Sequence, residues 1–244
     1  MTSCRTLLAS LAQFLVFCDQ LLVYLTVQNC ITTLGKSRPL QNCLLNSPLP
    51  IYAFHHCMSR PWKKVSTKQL GDFRIFKLRS DTYISPRTQK EHDFFVLESV
   101  HWVNIIALTP EQQLVMVEQY RFGSNTVELE IPGGMMDPDE TDPVATAVRE
   151  LREETGYEGE RARILGRIHA NPAILNNLCY TVLIEDCRLK HPVAFDQGED
   201  LVTRLIPVSD IPKLVADEKI GHSLVVVALY HFDLWKRGIK KLKQ

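Results

Sequence analysis

Three glutamates, Glu150, Glu153 and Glu154, stand at i, i+3 and i+4 in the stretch Arg149-Glu150-Leu151-Arg152-Glu153-Glu154-Thr155. On a helix this spacing puts all three carboxylates on one face. Like charges so placed repel by about a few tenths of a kcal/mol per pair in solvent, and by more in a cleft. A cation removes that penalty. Oxygen donors select hard ions (magnesium, manganese or calcium), and magnesium is typically held by about one or two carboxylates together with water and substrate phosphates. The implied chemistry is metal-assisted reaction at a phosphate compound. Taken alone, the same residues also read as a solvated acidic face balanced by Arg149 and Arg152.

The elements that must position these side chains follow from punctuation and periodicity. Pro143 suits the first turn of a helix and Gly156 its end. The apolar stripe of that helix is Val144, Ala147, Val148 and Leu151. Before it, a short strand over 127–131 runs into Pro132-Gly133-Gly134, where two glycines permit backbone angles barred to other residues. Further strands are predicted over 73–79, 92–97, 101–108 and 114–120, forming an antiparallel meander, and later over 164–169, 178–185 and 201–207. A short helix opens at Ser209-Asp210-Ile211-Pro212, with Asp210 or Ser209 as its N-cap. Residues 223–235 read as a helix despite Val225, Val226 and Val227, and the basic residues after them suit its C-terminal end.

Composition narrows the function classes. The 244 residues carry 28 Lys+Arg against 28 Asp+Glu, so no basic excess points to nucleic acid. The charge is unevenly spread, because residues 1–57 hold only Arg5, Asp19, Lys36 and Arg38. This leader reads poorly as a membrane span, since Gln13, Asp19 and Gln20 interrupt its apolar run and a mid-membrane Asp costs about 3 kcal/mol. It also reads poorly as a signal peptide, for want of a clean cleavage site. The favoured expectation is that translation starts at Met58, where ordinary soluble composition begins; membrane association depends wholly on the leader. The expected division is a leader at 1–57, an N-terminal β segment at 58–98 and a main domain at 99–238. The seven cysteines include no C-x-x-C pair and their spacing is irregular, which fits a reducing, cytoplasmic setting and argues against a structural zinc.

The residue context of the glutamates resembles a known family. Gly134, Glu140 and then Arg149-Glu150-Leu151-Arg152-Glu153-Glu154-Thr155-Gly156-Tyr157 resemble the Nudix box, G-x5-E-x7-R-E-U-x-E-E-x-G-U, where U is bulky and apolar. Eight residues rather than seven separate Glu140 from Arg149, and a loop ahead of Pro143 can absorb the extra one without rotating the helix. The resemblance implies an α/β fold, a Nudix α/β/α sandwich with a mixed sheet preceded by a small antiparallel N-terminal β segment. It further implies that Glu150, Glu153 and Glu154 ligate magnesium, with manganese as the alternative. Arg149 would orient them, and the Gly133-Gly134 backbone would approach a pyrophosphate.

Within the family the chain is most similar to the ADP-ribose pyrophosphatase branch. Glu118-Gln119-Tyr120-Arg121 resembles that branch's Gln-aromatic-Arg step, and Glu128-Leu129-Glu130-Ile131-Pro132-Gly133-Gly134 its strand into the box. Pro172 stands 16 residues after Gly156, where the branch has a marker proline. The resemblance implies substrate contacts from Arg121, Glu130, Gly133, Gly134 and Pro172. It places a catalytic base at Glu199 in a late loop, with Glu153 or Glu154 as alternatives, and an aromatic from among Trp102, Phe94, Phe95 and Phe122 on the adenine. The implied reaction takes ADP-ribose to AMP and ribose 5-phosphate in a homodimer that pairs through the N-terminal strands. Alternatives are another nucleoside diphosphate sugar, a dinucleotide or a coenzyme A derivative, or a non-catalytic ADP-ribose binder, which would have little need of three clustered metal ligands.

Overall fold

The computed structural model describes residues 60–195 and 198–239, which belong to one unit of the chain. The leader lies outside the described residues. Twelve strands and three helices follow, beginning with β1 (Lys63–Asp72), β2 (Lys77–Ile84) and β3 (Glu91–Glu98), which make an antiparallel three-stranded sheet. Residues 63–72, for which no strand was predicted individually, form β1, whose sequence lacks an apolar rhythm because most of its residues are exposed. One expectation is corrected there. Residues 73–76, expected to begin a strand, are instead the turn into β2. The Asp72 carboxylate accepts the Arg74 N–H at 3.2 Å, Arg74 takes a φ of 68°, and the Phe73 and Phe76 rings pack 5.2 Å apart. Local side-chain bonding of this kind competes with a ladder.

The second sheet holds β4 (Trp102–Leu108), β5 (Gln113–Arg121), β6 (Thr126–Glu130), β7 (Gly133–Met135), β9 (Arg161–His169), β10 (Leu178–Glu185) and β12 (Leu201–Pro207). Its order is β12-β5-β4-β10-β9, with β6 on β5 and β7 on β4. Strand β10 runs parallel to β4 and the other pairings are antiparallel, so the sheet is mixed. The small pair β8 (Tyr157–Glu158) and β11 (Arg188–Leu189) stands apart. The continuous meander expected from residue 73 onward is therefore broken between β3 and β4, which lie in different sheets.

Helix α1 (Pro143–Thr155) covers one face of this sheet, and α2 (Ile211–Ala216) and α3 (Ser223–Lys236) cover the other. The alternation along each strand shows why. Val103, Ile105 and Ala107 of β4 pack toward Ala147 and Leu151 of α1, while Ile106 and Leu108 pack toward Ala228, Leu229 and Phe232 of α3. Strands β5 and β10 divide their apolar residues in the same way. A sheet buried on both faces needs apolar side chains at every position, so its strands read as near-continuous apolar runs. In α3 the buried residues Val225, Ala228, Leu229 and Phe232 fall at i, i+3, i+4 and i+7, so packing overrides the weak helix propensity of its three valines. The chain belongs to the α/β class, with the sandwich architecture expected.

Strands β4 and β5 pair only at Ala107–Val115 and Leu108–Leu114. Beyond that point they splay, and β7 pairs with Trp102, Val103 and Asn104. The Pro132 carbonyl accepts the Ile105 N–H at 2.9 Å within this opening. The splay brings the Pro-Gly-Gly segment into the sheet and positions everything described next.

Candidate active site

Helix α1 starts and ends as its sequence requires. The Asp142 side chain accepts the Val144 N–H at 2.9 Å, Pro143 occupies the first turn, and Gly156 takes the left-handed conformation with a φ of 74°. Its buried side is rotated from the expected stripe. Thr146, Ala147, Glu150, Leu151, Glu154 and Thr155 face inward, whereas Val148 is 38% exposed. The helix has taken Glu150 and Glu154 into the protein with its apolar residues.

Two close approaches make that burial possible. A Cβ on Gly134 would stand 2.6 Å from the Glu150 carboxylate, and one on Gly133 would stand 2.2 Å from the Val103 carbonyl oxygen. The Gly133 N–H donates to Glu154 Oε2 at 3.1 Å. Burial pushes the Glu150 carboxyl up to about 7, with Glu153 and Glu199 adding to the shift and Arg149 opposing it. Burial likewise pushes Glu154 up to about 8, helped by the charges of Glu150 and Glu199 and opposed by the Gly133 N–H. Two desolvated carboxylates that disfavour each other's charge form an oxygen-only donor set of the kind that suits a hard divalent cation. Among the described residues no three such side chains converge as a ready-made metal cluster. Glu153 instead accepts from Arg149 Nη1 at 2.8 Å.

Arg149 is the hub of the acidic side. Its Nε and Nη2 donate to the two Glu140 oxygens, each at 3.2 Å, and Nη2 also lies 3.1 Å from Glu150 Oε1. Glu140 receives further hydrogen bonds from the Asp137 N–H and the Thr146 hydroxyl, both at 2.9 Å. The Arg149 guanidinium, together with these donors, holds the Glu140 carboxyl down to about 2. The additional residue between Glu140 and Arg149 therefore leaves Glu140 in contact with the box arginine. Spacing alone did not reveal that role, nor the part of Thr146.

Arg121, at the end of β5, makes a two-point ion pair with buried Glu130 at the end of β6, Nε to Oε1 at 2.7 Å and Nη2 to Oε2 at 2.8 Å. Arg121 and His222 line two neighbouring cavities. One, of about 300 Å³, lies between β4 and the start of α3 and is bounded also by Trp102, Glu130, Gly133 and Gly134. The other, of about 580 Å³, is bounded by Phe122, Ser124, Glu128 and Ser223. Of the four aromatics considered, Trp102 and Phe122 reach these cavities, whereas Phe94 and Phe95 lie on β3 of the other sheet. His222 has no sequence signal beyond its place before a helix.

Glu199 lies close enough for its charge to act on both Glu150 and Glu154. Its neighbour Gln197 falls outside the described residues. Pro172 is exposed in the loop between β9 and β10 and lines neither cavity. That loop is joined to β3, since Leu97 N–H donates to the Ile174 carbonyl at 2.8 Å.

Comparison with known proteins gives a consistent picture. The family model described as NUDIX domain matches residues 100–224. The methanol dehydrogenase activator of Bacillus methanolicus is 30% identical over 173 residues, which cover 70% of this chain and 92% of that protein. The ADP-ribose pyrophosphatase of Bacillus subtilis is 27% identical over 54% of this chain and 71% of that protein. A crystal structure of an ADP compounds hydrolase superposes with a TM-score of 0.65 at 20% identity, covering 73% of this chain and 96% of that one, a likeness of fold.

Proposed function

This chain belongs to the Nudix family of hydrolases, and from that premise we propose that it hydrolyses a nucleoside diphosphate linked to a second moiety, ADP-ribose foremost, giving AMP and ribose 5-phosphate. The observation that carries the reading is the pair of buried carboxylates, Glu150 and Glu154, set against the Gly133-Gly134 strand beside the Arg121–Glu130 ion pair.

Glu150, Glu153 and Glu154 would hold magnesium, with manganese as the substitute, and the ion would supply charge neutralisation at the diphosphate and a lowered pKa for water. Arg149 fixes the directions of Glu150 and Glu153 through charge-assisted hydrogen bonds. Arg121 gives two guanidinium nitrogens to Glu130 and presents the third, Nη1, to a phosphate oxygen. Gly133 and Gly134 let the diphosphate approach the backbone, and Pro172 marks the substrate side of the β9–β10 loop. Glu199 accepts the proton of the attacking water, which displaces one phosphate from the other in line. Glu153 and Glu154 are the alternative bases.

The assembly is proposed to be a homodimer formed through the N-terminal sheet. Trp62, Val65, Leu70, Phe94 and Phe95 in and beside that sheet are exposed, an apolar set that a partner subunit would cover. Free, buried Cys179 and Cys187 accord with a reducing, cytoplasmic setting. Among the described residues no helix is long and apolar enough to cross a membrane. The division into a leader, an N-terminal β segment and a Nudix domain from residue 99 to 238 is part of the same proposal.

The test is magnesium-dependent hydrolysis by the full-length protein of ADP-ribose, other ADP- and UDP-sugars, dinucleotides and coenzyme A, with products identified. Preferred release of AMP from ADP-ribose supports the reading. A folded protein that turns over none of them overturns it.

A further inference from the structure

Beyond β10 the chain returns to the end of α1 and bonds to it. A helix leaves its last carbonyls without partners of its own. Here the Glu153 carbonyl accepts the Ala194 N–H at 2.8 Å, and the Gly156 carbonyl accepts the Lys190 and His191 N–H groups, each at 3.0 Å. The crossing is so close that a Cβ on Gly156 would stand 2.2 Å from the His191 carbonyl oxygen, so the glycine serves the crossing chain as well as its own φ of 74°. The start of the crossing is gripped a second time. Strand β11 pairs Arg188 with Glu158 and Leu189 with Tyr157 on β8. The Glu158 carboxylate then meets Lys190 Nζ and His191 Nε2, each at 2.9 Å. Lys190 foremost, and His191 with it, hold that carboxyl down to about 2. Exposed ion pairs fix little by themselves, so the backbone bonds are the principal anchor.

We propose that residues 190–195 are a strap that positions the general base, tying the chain that leads to Glu199 to the turn of α1 that carries Glu153 and Glu154. The inference rests on the hydrolase reading above and adds to it what places the base. Glu199 stands five residues beyond Ala194. Five residues reach about 17 Å at most, so the anchor at Glu153 keeps Glu199 near the end of α1, where its charge acts on Glu150 and Glu154. On its other side β12 begins, with Leu201 paired to Gln119 of β5. The base is therefore held from both directions, by the helix before it and by the sheet after it. Loops over a protein surface are otherwise its more mobile parts. A general base must come within about 3 Å of the proton it takes, and a misplacement of about 1 Å can cost about a hundredfold in rate. Because the Ala194 bond ends on the Glu153 main chain, base and carboxylates share one reference, the last turn of α1.

The test uses the full-length protein with Ala194→Pro, which removes the N–H bonded to Glu153, and Ala194→Ser, which keeps it. Ala194 is exposed, so neither side chain disturbs a packed interior. With ADP-ribose and magnesium, Ala194→Pro should lower kcat by about tenfold or more while KM and the magnesium requirement stay as in the wild type. Ala194→Ser should keep the wild-type rate. In a Glu199→Gln background the proline should cost nothing further, because groups that act through one another are not additive. Glu158→Gln, a second variant in case the proline disturbs folding, should lower kcat by a smaller factor, again only while Glu199 is present. An unchanged kcat in both variants, an undiminished further loss without Glu199, or a wild-type rate in Glu199→Gln alone overturns the strap. Amide hydrogen exchange gives a readout that needs no turnover: exchange over 198–201 should quicken in Ala194→Pro while that of α1 stays the same. A protein that hydrolyses nothing yet shows this change sinks the hydrolase reading and keeps the tether. A hydrolase whose exchange there is unaltered by the proline sinks the tether alone.

Discussion

Glu140 and Arg149 meet through two hydrogen bonds of 3.2 Å each, although one residue more than the usual box spacing separates them. The loop ahead of Pro143 takes up the difference, and Arg149 is left with Nη1 for Glu153 and Nη2 near Glu150. The arginine thus joins the loop to the carboxylate face of α1.

Glu140→Gln should lower stability by about 1 kcal/mol, a charge-assisted pair discounted for partial exposure. That corresponds to a Tm drop of about 2–4 °C. The sign with pH follows from a carboxyl held down to about 2 in the fold against an ordinary value of 4.5. Its contribution is fully present above the ordinary value and disappears as pH falls toward the folded one. Melting curves of wild type and variant should be farthest apart near neutrality and converge in acid. A gap that stays constant to low pH would refute the pairing.

Chelation should matter most at alkaline pH. Glu150 and Glu154 titrate near 7 and 8 in the metal-free fold, above the ordinary 4.5, so the folded chain binds more protons than the unfolded one across that range. Stability of the metal-free protein therefore falls as pH rises from about 4.5 through 8. If these carboxylates are its ligands, magnesium should offset this, raising Tm by several degrees at about pH 8.5 and by little at about pH 5.5. Equal shifts at both pH values would count against these two carboxylates as its ligands.

The two glycines should fail differently. Gly134→Ala places a Cβ against the Glu150 carboxylate, a side-chain end that can move, so the protein folds while turnover drops by more than about tenfold. Gly133→Ala meets the Val103 carbonyl of the backbone, so thermal unfolding and expression suffer first. Identical melting curves for the two variants would contradict this distinction.

Glu153→Gln and Glu154→Gln should each remove most turnover with the circular dichroism spectrum unchanged. Wild-type rates in both would show that the metal site is elsewhere. Arg121→Lys should reduce kcat/KM and also destabilise the fold, since an ammonium cannot match both oxygens of buried Glu130.

Much of the fold was legible because its signals are local. Pro143 and Gly156 bracket α1, and the apolar runs of β4, β5 and β10 announce strands buried on both faces. Strand β1 was not legible, because an exposed strand needs no apolar pattern and its sequence has none. The Asp72 turn was missed because alternating apolar residues at 73 and 75 mimic a strand.

By itself the sequence determined the carboxylate face, the Gly-Gly approach and the catalytic family, because residue type and short spacing on one helix fix which side chains lie together. Tertiary structure decided how those groups behave. Glu150 and Glu154 have the same chemistry as the solvated glutamates elsewhere, and only the packing of α1 against β7 desolvates them and raises their affinity for protons. The same holds for Trp102 and His222, which are 120 residues apart in the chain. Their cavity exists because β4 and β5 splay and α3 closes over the opening, an arrangement of distant elements that no local pattern encodes.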